Sequence, residues 1–282
     1  MPIAWLNGEF LPLAEARISP LDRGFLFADA VYEVIGVYDG RPLLLDAHLQ
    51  RLAHSLRELQ IPSPHDHAGW QAIVSGLVER NGGGSGHPDI GIYLQVSRGA
   101  DASRSHTYPQ GLAPTVFAMA SALAAVDLDT PGVHAMTAED NRWARCDIKS
   151  TALLANILLR QAASEAGADE CIMLRDGLVT EGSSSSVLVL EGRTLLSRPN
   201  GSDILPGTTI ALIREVAAAA GIGYREEAIS LARLLAADEV WLSAALRGVA
   251  PVTHVDGQPI GTGRPGPAWR VVAEAYERRK RS

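Results

Sequence analysis

Residues 145–163, RCDIKSTALLANILLRQAA, join a broken polar stretch to a long apolar run. The spacing of leucine and alanine in the apolar part predicts a helix. Lys149 then falls in what would be the first turn, where the partial positive charge of the helix dipole gives an ammonium no advantage. Asp147, Ser150 or Thr151 would suit the cap. Taken alone, Lys149 is either a solvated lysine near a helix end or a residue placed there for chemistry.

The composition of the 282-residue chain, 46% hydrophobic and 20% charged, is that of a globular protein with room for one large or two modest domains. The formal net charge is −7 and no basic stripe interleaves with aromatic residues, so we expect no nucleic-acid partner. The sequence has no apolar run long enough to span a bilayer and no export signal, so no membrane association is expected either. Cys146 and Cys171 show no C-x-x-C spacing, which predicts a cytoplasmic protein without a structural metal.

The order of strand and helix patterns predicts two domains. Residues 1–120 combine hairpins at Asn-Gly and Asp-Gly turns with two helices, the first of which Asp46 is placed to cap, so they predict a small α+β domain. Small residues and a Thr-Pro-Gly turn mark residues 121–132 as the linker, and residues 133–282 should form a larger domain. The chain has no strict β-α-β alternation and no G-x-G-x-x-G motif, which disfavours a nucleotide-binding α/β sheet.

Two stretches in the second half of the chain suggest sites for charged groups. In VTEGSSSSV, residues 179–187, Glu181 could meet a cationic nitrogen while the serines bind an anion, or the run could be an exposed polar turn. In LPGTTIALI, residues 205–213, Thr208 and Thr209 open an apolar helix. Exposed N–H groups and two hydroxyls at a helix start can bind an anion, and a plain threonine cap is the alternative.

Two stretches in the first half carry basic residues in polar surroundings. Arg51, in HLQRLAHS, could grip a phosphate or lie on the surface. Arg104 and His106 alternate within the polar loop RGADASRSHTYP, residues 98–109, which could bind a carboxylate or simply be mobile. A reactive lysine, an acid, a phosphate cup and a carboxylate site together fit pyridoxal phosphate acting on an amino acid.

Seven motifs in this order extend over nearly the whole chain: DRGFLFADAVYEV, HLQRL, QVSRG, RSHTYP, RWARCDIKS, VTEGSSS and EVWLS followed by APV. With them the chain resembles the D-amino-acid aminotransferases, a branch of the fold type IV pyridoxal-phosphate enzymes that also contain branched-chain aminotransferases and aminodeoxychorismate lyase. RCDIKS and the Arg-x-His pair point to the D-specific branch. The resemblance implies an α+β fold of two domains, a smaller N-terminal α/β domain and a larger C-terminal, cofactor-binding domain of mainly antiparallel strands.

The resemblance also implies roles for individual residues. Lys149 would form a Schiff base with the cofactor and carry the α-proton, with Tyr32 nearby and Glu181 on the pyridine nitrogen. Arg104 and His106 would bind the substrate carboxylate from the partner subunit of a homodimer with shared active sites. The other implied cofactor contacts are Arg51, Ser184, Ser185, Leu205, Gly207, Thr208, Thr209, Ala244 and Ala245.

Four positions depart from the family pattern. Ser186 stands where asparagine is usual, and Ala244 and Ala245 stand where the family commonly offers hydroxyls to the phosphate. Arg247 replaces a small polar residue, which implies contact with the side-chain end of the substrate.

The expected reaction is transamination between D-amino acids, of the D-alanine and D-glutamate type, and 2-oxo acids such as 2-oxoglutarate. Alternatives of the same fold are a branched-chain L-amino-acid transaminase, an (R)-amine transaminase and aminodeoxychorismate lyase. The Arg104-x-His106 pair argues against them. An alternative of another class is a non-catalytic protein in which Lys149 is a surface cation.

Overall fold

The computed structural model of the protein describes residues 1–83 and 88–282, which form two compact units. The first unit contains Met1–Ala125, Ile148–Ala152 and Arg281; the second contains Val126–Asp147, Leu153–Lys280 and Ser282. The boundary after residue 125 lies inside the stretch that the sequence predicts as the linker. The short segment around Lys149, however, belongs to the first unit, whereas the sequence predicts it in the second domain.

The first unit is built on one antiparallel sheet. Its strands are β1 (Ile3–Leu6), β2 (Glu9–Pro12), β3 (Ala30–Tyr38), β4 (Arg41–Pro42), β5 (Ile90–Ser97) and β6 (Thr115–Ala122), and its helices are α1 (Arg23–Phe27), α2 (Leu45–Glu58) and α3 (His67–Arg80). The strands follow the order β2-β1-β6-β5-β3-β4 with every neighbouring pair antiparallel. The hairpins β1–β2 and β3–β4 turn at Asn7–Gly8 and Asp39–Gly40, where positive φ angles suit these residues.

Helices α2 and α3 bury their apolar faces against this sheet. Leu49, Leu52 and Leu56 recur at helical spacing on α2 and are all buried, as are Trp70 and Leu77 of α3. The core therefore fixes α2 beside β3, the strand that carries Tyr32.

Asp46 is not the cap of α2. The helix begins at Leu45 after Leu44, which adopts a left-handed conformation, and Asp46 lies inside the first turn. Its Oδ1 instead lies 3.0 Å from Nε2 of exposed His67. The predicted cap is wrong because the tight turn after β4 sets the helix start one residue earlier than the polar residue.

The second unit is built on one mixed sheet. Its strands are β7 (Val133–Glu139), β8 (Glu170–Arg175), β9 (Leu178–Gly182), β10 (Ser186–Glu191), β11 (Thr194–Ser197), β12 (Gly223–Glu226), β13 (Glu239–Ala244), β14 (Gly248–Val255) and β15 (Gln258–Pro259), and its helices are α4 (Leu154–Glu165), α5 (Thr208–Ala219), α6 (Leu231–Leu235) and α7 (Pro267–Arg279). The order is β12-β11-β10-β13-β14-β7-β8-β9, with β15 on β14. Only β11–β12, β14–β7 and β7–β8 are parallel among the described pairs. The α+β class with mainly antiparallel strands is thus confirmed.

Lys149 does not lie in a helix. Helix α4 begins at Leu154, five residues later, and Leu153 rather than a polar residue precedes it. Ser150 forms an isolated antiparallel bridge with Val31, and the Thr151 amide donates to the Ala30 carbonyl at 3.0 Å. The predicted helix start is therefore wrong, because hydrogen bonds tie residues 149–151 to the start of β3 instead.

Across residues 1–83 and 88–282, no helix combines the length and apolar character that crossing a membrane requires. The same residues contain no group of three or more His, Cys, Asp or Glu side chains arranged to hold a metal ion.

Candidate active site

In the first unit, the backbone of Lys149 is held on both sides. Its amide donates to Oγ of Ser55 on α2 at 3.1 Å, and its carbonyl accepts from the amide of Tyr32 on β3 at 2.9 Å. The side chain is half-buried, and Nζ lies 4.4 Å from the centroid of the Tyr32 ring. An ammonium at this distance is attracted to the ring face. The structure thus brings Lys149 and Tyr32 into contact.

Arg51 forms a buried ion pair with Glu33, the neighbour of Tyr32. Nε and Nη2 of Arg51 lie 2.7 and 2.8 Å from the two carboxylate oxygens, and Nδ1 of His48 lies 2.7 Å from Oε2. Burial by itself would raise the pKa of Glu33, but the hydrogen bonds and charges of Arg51 and then His48 outweigh it and lower the pKa to about 2. The Arg51 guanidinium, predicted to bind a phosphate, therefore binds the Glu33 carboxylate, a partner that the sequence did not predict.

Arg104 and His106 are both exposed and share one aromatic neighbour. The guanidinium carbon of Arg104 lies 5.0 Å from the ring centroid of Phe27, and the His106 ring meets the same ring edge-on at 5.4 Å. The structure brings the two candidate carboxylate-binding side chains together on one ring, at the surface of the first unit.

In the second unit, Glu181 lies near the end of β9 and is ion-paired. Its Oε1 accepts a hydrogen bond from Nη1 of Arg142, and its Oε2 accepts from the Leu205 amide at 3.2 Å. Leu205, expected to pack against the cofactor ring, thus also fixes the acid through its backbone. The carboxylate is oriented at both oxygens, which suits a group that must hold one proton in place.

Arg142 is itself fixed by Asp140. Nε and Nη2 of Arg142 lie 2.9 and 2.8 Å from the two Asp140 oxygens, and the Thr180 hydroxyl donates to Asp140 at 2.9 Å. Burial would lower the pKa of Arg142, but Asp140 and Glu181 raise it above its ordinary value. Arg142 is the first residue of the motif RWARCDIKS, and the sequence alone predicted no role for it. An arginine beside an acid in Asp-Asn-Arg was the available signal.

The serine hydroxyls of residues 183–185 turn toward a buried acid. Oγ of Ser183 donates to Oε1 of Glu170, and Oγ of Ser185 lies 3.0 Å from Oε2. Ser184 is exposed, and its Oγ lies 3.5 Å from Oε2. Because a hydroxyl has one proton, Ser183 and Ser185 have little left to donate to a bound anion. Any anion contact of this run therefore falls to its backbone amides and to the exposed Ser184 hydroxyl.

A cup of hydroxyl groups lies at the start of α5. The helix begins at Thr208 after Gly207, with Thr209 buried, and it has no side-chain cap within the described part of the chain. A Cβ on Gly207 would lie 2.8 Å from Oγ of Ser186, so the glycine lets β10 approach the helix start. Uncapped amides at a helix N-terminus are a site for an anion.

Ser243 adds a buried hydroxyl to the same face. It pairs with Ser186 across β10 and β13, and directly paired residues project on one side of a sheet. Ser243 is 3% exposed, and its Oγ has no hydrogen-bond partner in residues 1–83 and 88–282. A buried hydroxyl left unsatisfied beside a helix start fits an anion that the protein acquires.

The turn after β13 contains the residues that depart from the family pattern. Ala244 pairs with Gly248, and Ala245 and Arg247 lie in the turn between them. Nη1 of Arg247 is buried and has no hydrogen-bond partner among the described residues. The turn therefore offers one buried guanidinium nitrogen where hydroxyl side chains are lacking.

The chain matches the family model of class IV amino-transferases over residues 30–255. It is 40% identical to the D-alanine aminotransferase of Bacillus licheniformis, over 96% of this chain and 94% of the relative. It is 35% identical to that of Staphylococcus haemolyticus, over 99% and 98%. Among solved structures, the branched-chain amino acid aminotransferase of Escherichia coli matches with a TM-score of 0.90 and 26% identity over 98% of this chain and 93% of that one. The PLP-bound form of a hypothetical aminotransferase from Mycobacterium tuberculosis matches with a TM-score of 0.86 and 28% identity over 98% and 97%.

The fold, shared with solved aminotransferases in PLP-bound and pyridoxamine-phosphate forms, is that of a fold type IV enzyme that uses pyridoxal 5'-phosphate. The chain belongs to the class IV aminotransferase family and is a pyridoxal-phosphate-dependent aminotransferase. The residues present fit this cofactor. In the second unit, the orphaned Ser243 hydroxyl and the start of α5 would suit its phosphate. In the first unit, Lys149 would supply an amine for its aldehyde.

Proposed function

We propose that the protein transfers amino groups between D-amino acids, such as D-alanine and D-glutamate, and 2-oxo acids such as 2-oxoglutarate. The observation that carries the proposal is the pairing of Arg104 and His106 on the ring of Phe27, which presents two donors suited to a carboxylate. Curated relatives named D-alanine aminotransferase, matched over nearly their whole length, support the same substrate class.

The chain's own residues account for the proton movements. Pyridoxal phosphate, when bound, supplies an aldehyde that links to amines and a ring that takes up electrons. Nζ of Lys149 removes the proton from the α-carbon of the amino acid and, in the reverse half-reaction, delivers a proton to the α-carbon of the incoming 2-oxo acid. Nζ lies 4.4 Å from the centroid of the Tyr32 ring, so we expect Tyr32 to border the path of these transfers.

Glu181 would hold the pyridine nitrogen in its protonated form. Its two oxygens are oriented by Arg142 and by the Leu205 amide, which supports this role. Arg51, Thr208 and Thr209 would hold the phosphate. Because Glu33 occupies two nitrogens of Arg51, we expect Arg51 to act at a phosphate as a fixed charge rather than as a two-pronged donor.

The remaining cofactor contacts are proposed from backbone groups. The amides of Ser184 and Ser185 would face the cofactor, since the serine hydroxyls are directed to Glu170. Ala244 and Ala245 can offer only N–H groups at the turn after β13. We therefore expect weaker cofactor retention than hydroxyl side chains would give, offset in part by Ser243.

We also propose that the enzyme is a homodimer in which Arg104 and His106 act in the partner's active site. Both side chains are exposed. In the second unit, Leu154, Ile157 and Leu158 of α4 are 77%, 58% and 66% exposed, and an apolar patch of this kind supports association of subunits. Cys146 and Cys171 are both free and buried, which supports a cytoplasmic location.

The second candidate is an L-branched-chain amino acid transaminase, favoured by the solved structures of that activity at TM-scores of 0.88 to 0.90. Chiral product analysis separates the two. Protein loaded with pyridoxal phosphate is incubated with D-alanine or L-leucine and 2-oxoglutarate, and the glutamate formed is resolved by enantiomer. We expect D-glutamate from D-alanine and negligible product from L-leucine. L-Glutamate from L-leucine would favour the second candidate, and a colourless protein that the cofactor cannot reconstitute would contradict both.

A further inference from the structure

Arg23, in α1, is a buried arginine with no role in the proposed chemistry; it is 4% exposed. Its Nη1 donates to the carbonyl of Ser105 at 2.6 Å, and its Nη2 donates to the carbonyl of His106 at 3.2 Å. These carbonyls belong to the short segment from which the side chains of Arg104 and His106 project. One guanidinium thus binds the carbonyl between the two candidate carboxylate-binding residues and the carbonyl of His106 itself.

The orientation of Arg23 is fixed by Asp29. Nε of Arg23 lies 2.9 Å from Oδ2 of Asp29, and Arg98 donates to both oxygens of the same carboxylate at 2.7 and 3.0 Å. Burial would raise the pKa of Asp29, but the hydrogen bonds of Arg98 and then Arg23 outweigh it and lower the pKa. One ionised acid therefore serves two arginines, and the guanidinium plane of Arg23 is set before any ligand arrives.

Arg98 fixes the far part of the loop to the two residues that follow α2. It donates to the carbonyls of Leu59 and Gln60 at 2.7 and 3.1 Å, and its guanidinium carbon lies 3.7 Å from the ring centroid of Tyr108. The Tyr108 hydroxyl donates to Oε1 of Gln60 at 3.0 Å. The loop is therefore held on both sides of His106.

Helix α1 supplies the side-chain support as well. Phe27, one helical turn after Arg23, contacts the side chains of both Arg104 and His106. The Arg23 guanidinium itself lies 4.8 Å from the same ring. Backbone clamp and aromatic support thus come from one short helix, and the two candidate side chains start from a backbone that is already ordered.

We infer that Arg23 is a positioning residue for substrate carboxylate binding, acting through the backbone of Ser105 and His106. This inference rests on the proposed function. With Arg23 in place, the entropy cost of ordering the loop falls on folding rather than on binding. Loss of the clamp transfers that cost to the binding step for every carboxylate substrate and leaves the proton transfers at Lys149 unchanged.

The test uses Arg23→Lys in the cofactor-loaded enzyme. A lysine can still pair with Asp29, but it lacks the planar fork that reaches two carbonyls at the same time. We expect KM for D-alanine and for 2-oxoglutarate to rise about five- to thirtyfold with kcat within about twofold of wild type. Amides of residues 100–113 should exchange with deuterium about tenfold faster without substrate, and pyridoxal phosphate affinity should not change.

Arg17→Lys is the matched control, because Arg17 also donates to two carbonyls but is exposed and touches neither Arg104 nor His106. It should change neither KM nor exchange. Should Arg23→Lys fail to fold, Tyr108→Phe, which removes one hydroxyl contact to Gln60, should give the same pattern at about two- to fourfold. If wild type turns over D-alanine, two results for Arg23→Lys would overturn the inference. One is an unchanged KM, and the other is faster exchange accompanied by a loss of kcat alone. A wild type that does not turn over D-alanine overturns the proposed function instead.

Discussion

Arg142 donates through Nη1 to Oε1 of Glu181, and the two side chains are 7% and 10% exposed. The acid proposed for the pyridine nitrogen is therefore half of a buried ion pair rather than a solitary carboxylate. Asp140 completes the group by fixing Arg142 from its other side. Because a buried charge without a partner is strongly disfavoured, loss of Arg142 would leave the Glu181 carboxylate without its ion-pair partner.

Arg142→Lys should reduce kcat for D-alanine about ten- to a hundredfold with a smaller effect on KM, since a lysine cannot hold both Asp140 and Glu181. Steady-state rates of wild type and variant at several D-alanine concentrations measure the two effects separately. Arg145→Lys is the control, because Arg145 is a neighbouring arginine that pairs with nearby Asp147. Equal rates for wild type and Arg142→Lys would contradict this role.

Lys149→Ala should abolish turnover while leaving the fold intact, because the amine and the proton carrier are lost together. The chain has two lysines, Lys149 and Lys280, so borohydride reduction of the loaded enzyme followed by peptide mass analysis tests the attachment directly. We expect the cofactor mass on the peptide with Lys149 only. Lys280→Arg, a change at a residue paired with Glu277, should behave as wild type. Label on Lys280, or a few per cent of residual rate in Lys149→Ala, would refute the assignment.

Arg104→Ala should raise KM for both D-amino acid and 2-oxo acid about ten- to a hundredfold, since a hydrogen bond to a charged group contributes roughly 1.5 to 3 kcal/mol. The visible cofactor band should not change. If the loop acts in the partner's site, mixed dimers of Arg104→Ala and Lys149→Ala chains contain one intact site. Equal mixing, unfolding and refolding should then recover about a quarter of wild-type activity at low substrate. No gain in the mixture, with a recovering wild-type control, would assign the loop to its own subunit.

Arg247→Ser should weaken the preference for dicarboxylates. Its buried nitrogen lacks a partner in residues 1–83 and 88–282, so an anionic substrate end would satisfy it. We expect kcat/KM for 2-oxoglutarate to fall about tenfold relative to pyruvate. Arg225→Ser, at an exposed arginine of the same unit, is the control. A parallel loss of pyridoxal phosphate affinity, with no change in the substrate ratio, would show that Arg247 serves the phosphate instead.

Glu33→Gln should destabilise the fold most at neutral pH. A carboxyl whose pKa falls from 4.5 to about 2 on folding stabilises the folded state above pH 4.5 and loses that effect as pH falls toward 2. The gap in free energy of unfolding between wild type and variant should be on the order of 3 kcal/mol at pH 7 and should narrow below pH 4.5. Urea unfolding across this range measures it, with exposed Glu79→Gln as control. A gap independent of pH would show that charge is not its source.

The sequence predicted most elements because their signals are local. The Asn7–Gly8 and Asp39–Gly40 hairpins follow from turn chemistry, and α2 follows from the leucine spacing on one face. The same approach gave the wrong local structure for Lys149. A short segment bridged to β3 has no hydrophobic periodicity, and the apolar run that follows it suggested an earlier helix start.

Local sequence patterns could not predict the buried arginine contacts, because the partners are far apart in the sequence. Arg142 and Glu181 are 39 positions apart, and Arg23 reaches carbonyls 82 and 83 positions away. No spacing rule connects such residues, so only the folded chain reveals which arginines are buried. The composition contained one usable signal. The basic residues of the chain are almost all arginine, yet position 149 is a lysine. Imine chemistry requires an amine with an adjustable pKa, which arginine does not provide.

The hydrogen bonds on either side of Lys149 limit how its amine can travel. With the amide held by Ser55 and the carbonyl held to Tyr32, the main chain at this position is clamped between a helix and a strand. All displacement of Nζ during turnover must then come from rotation about the bonds of its flexible four-carbon stem. The amine therefore moves relative to a fixed backbone. Substitutions at Ser55 that free this backbone should make the direction of proton delivery less specific before they affect the reactivity of the amine itself.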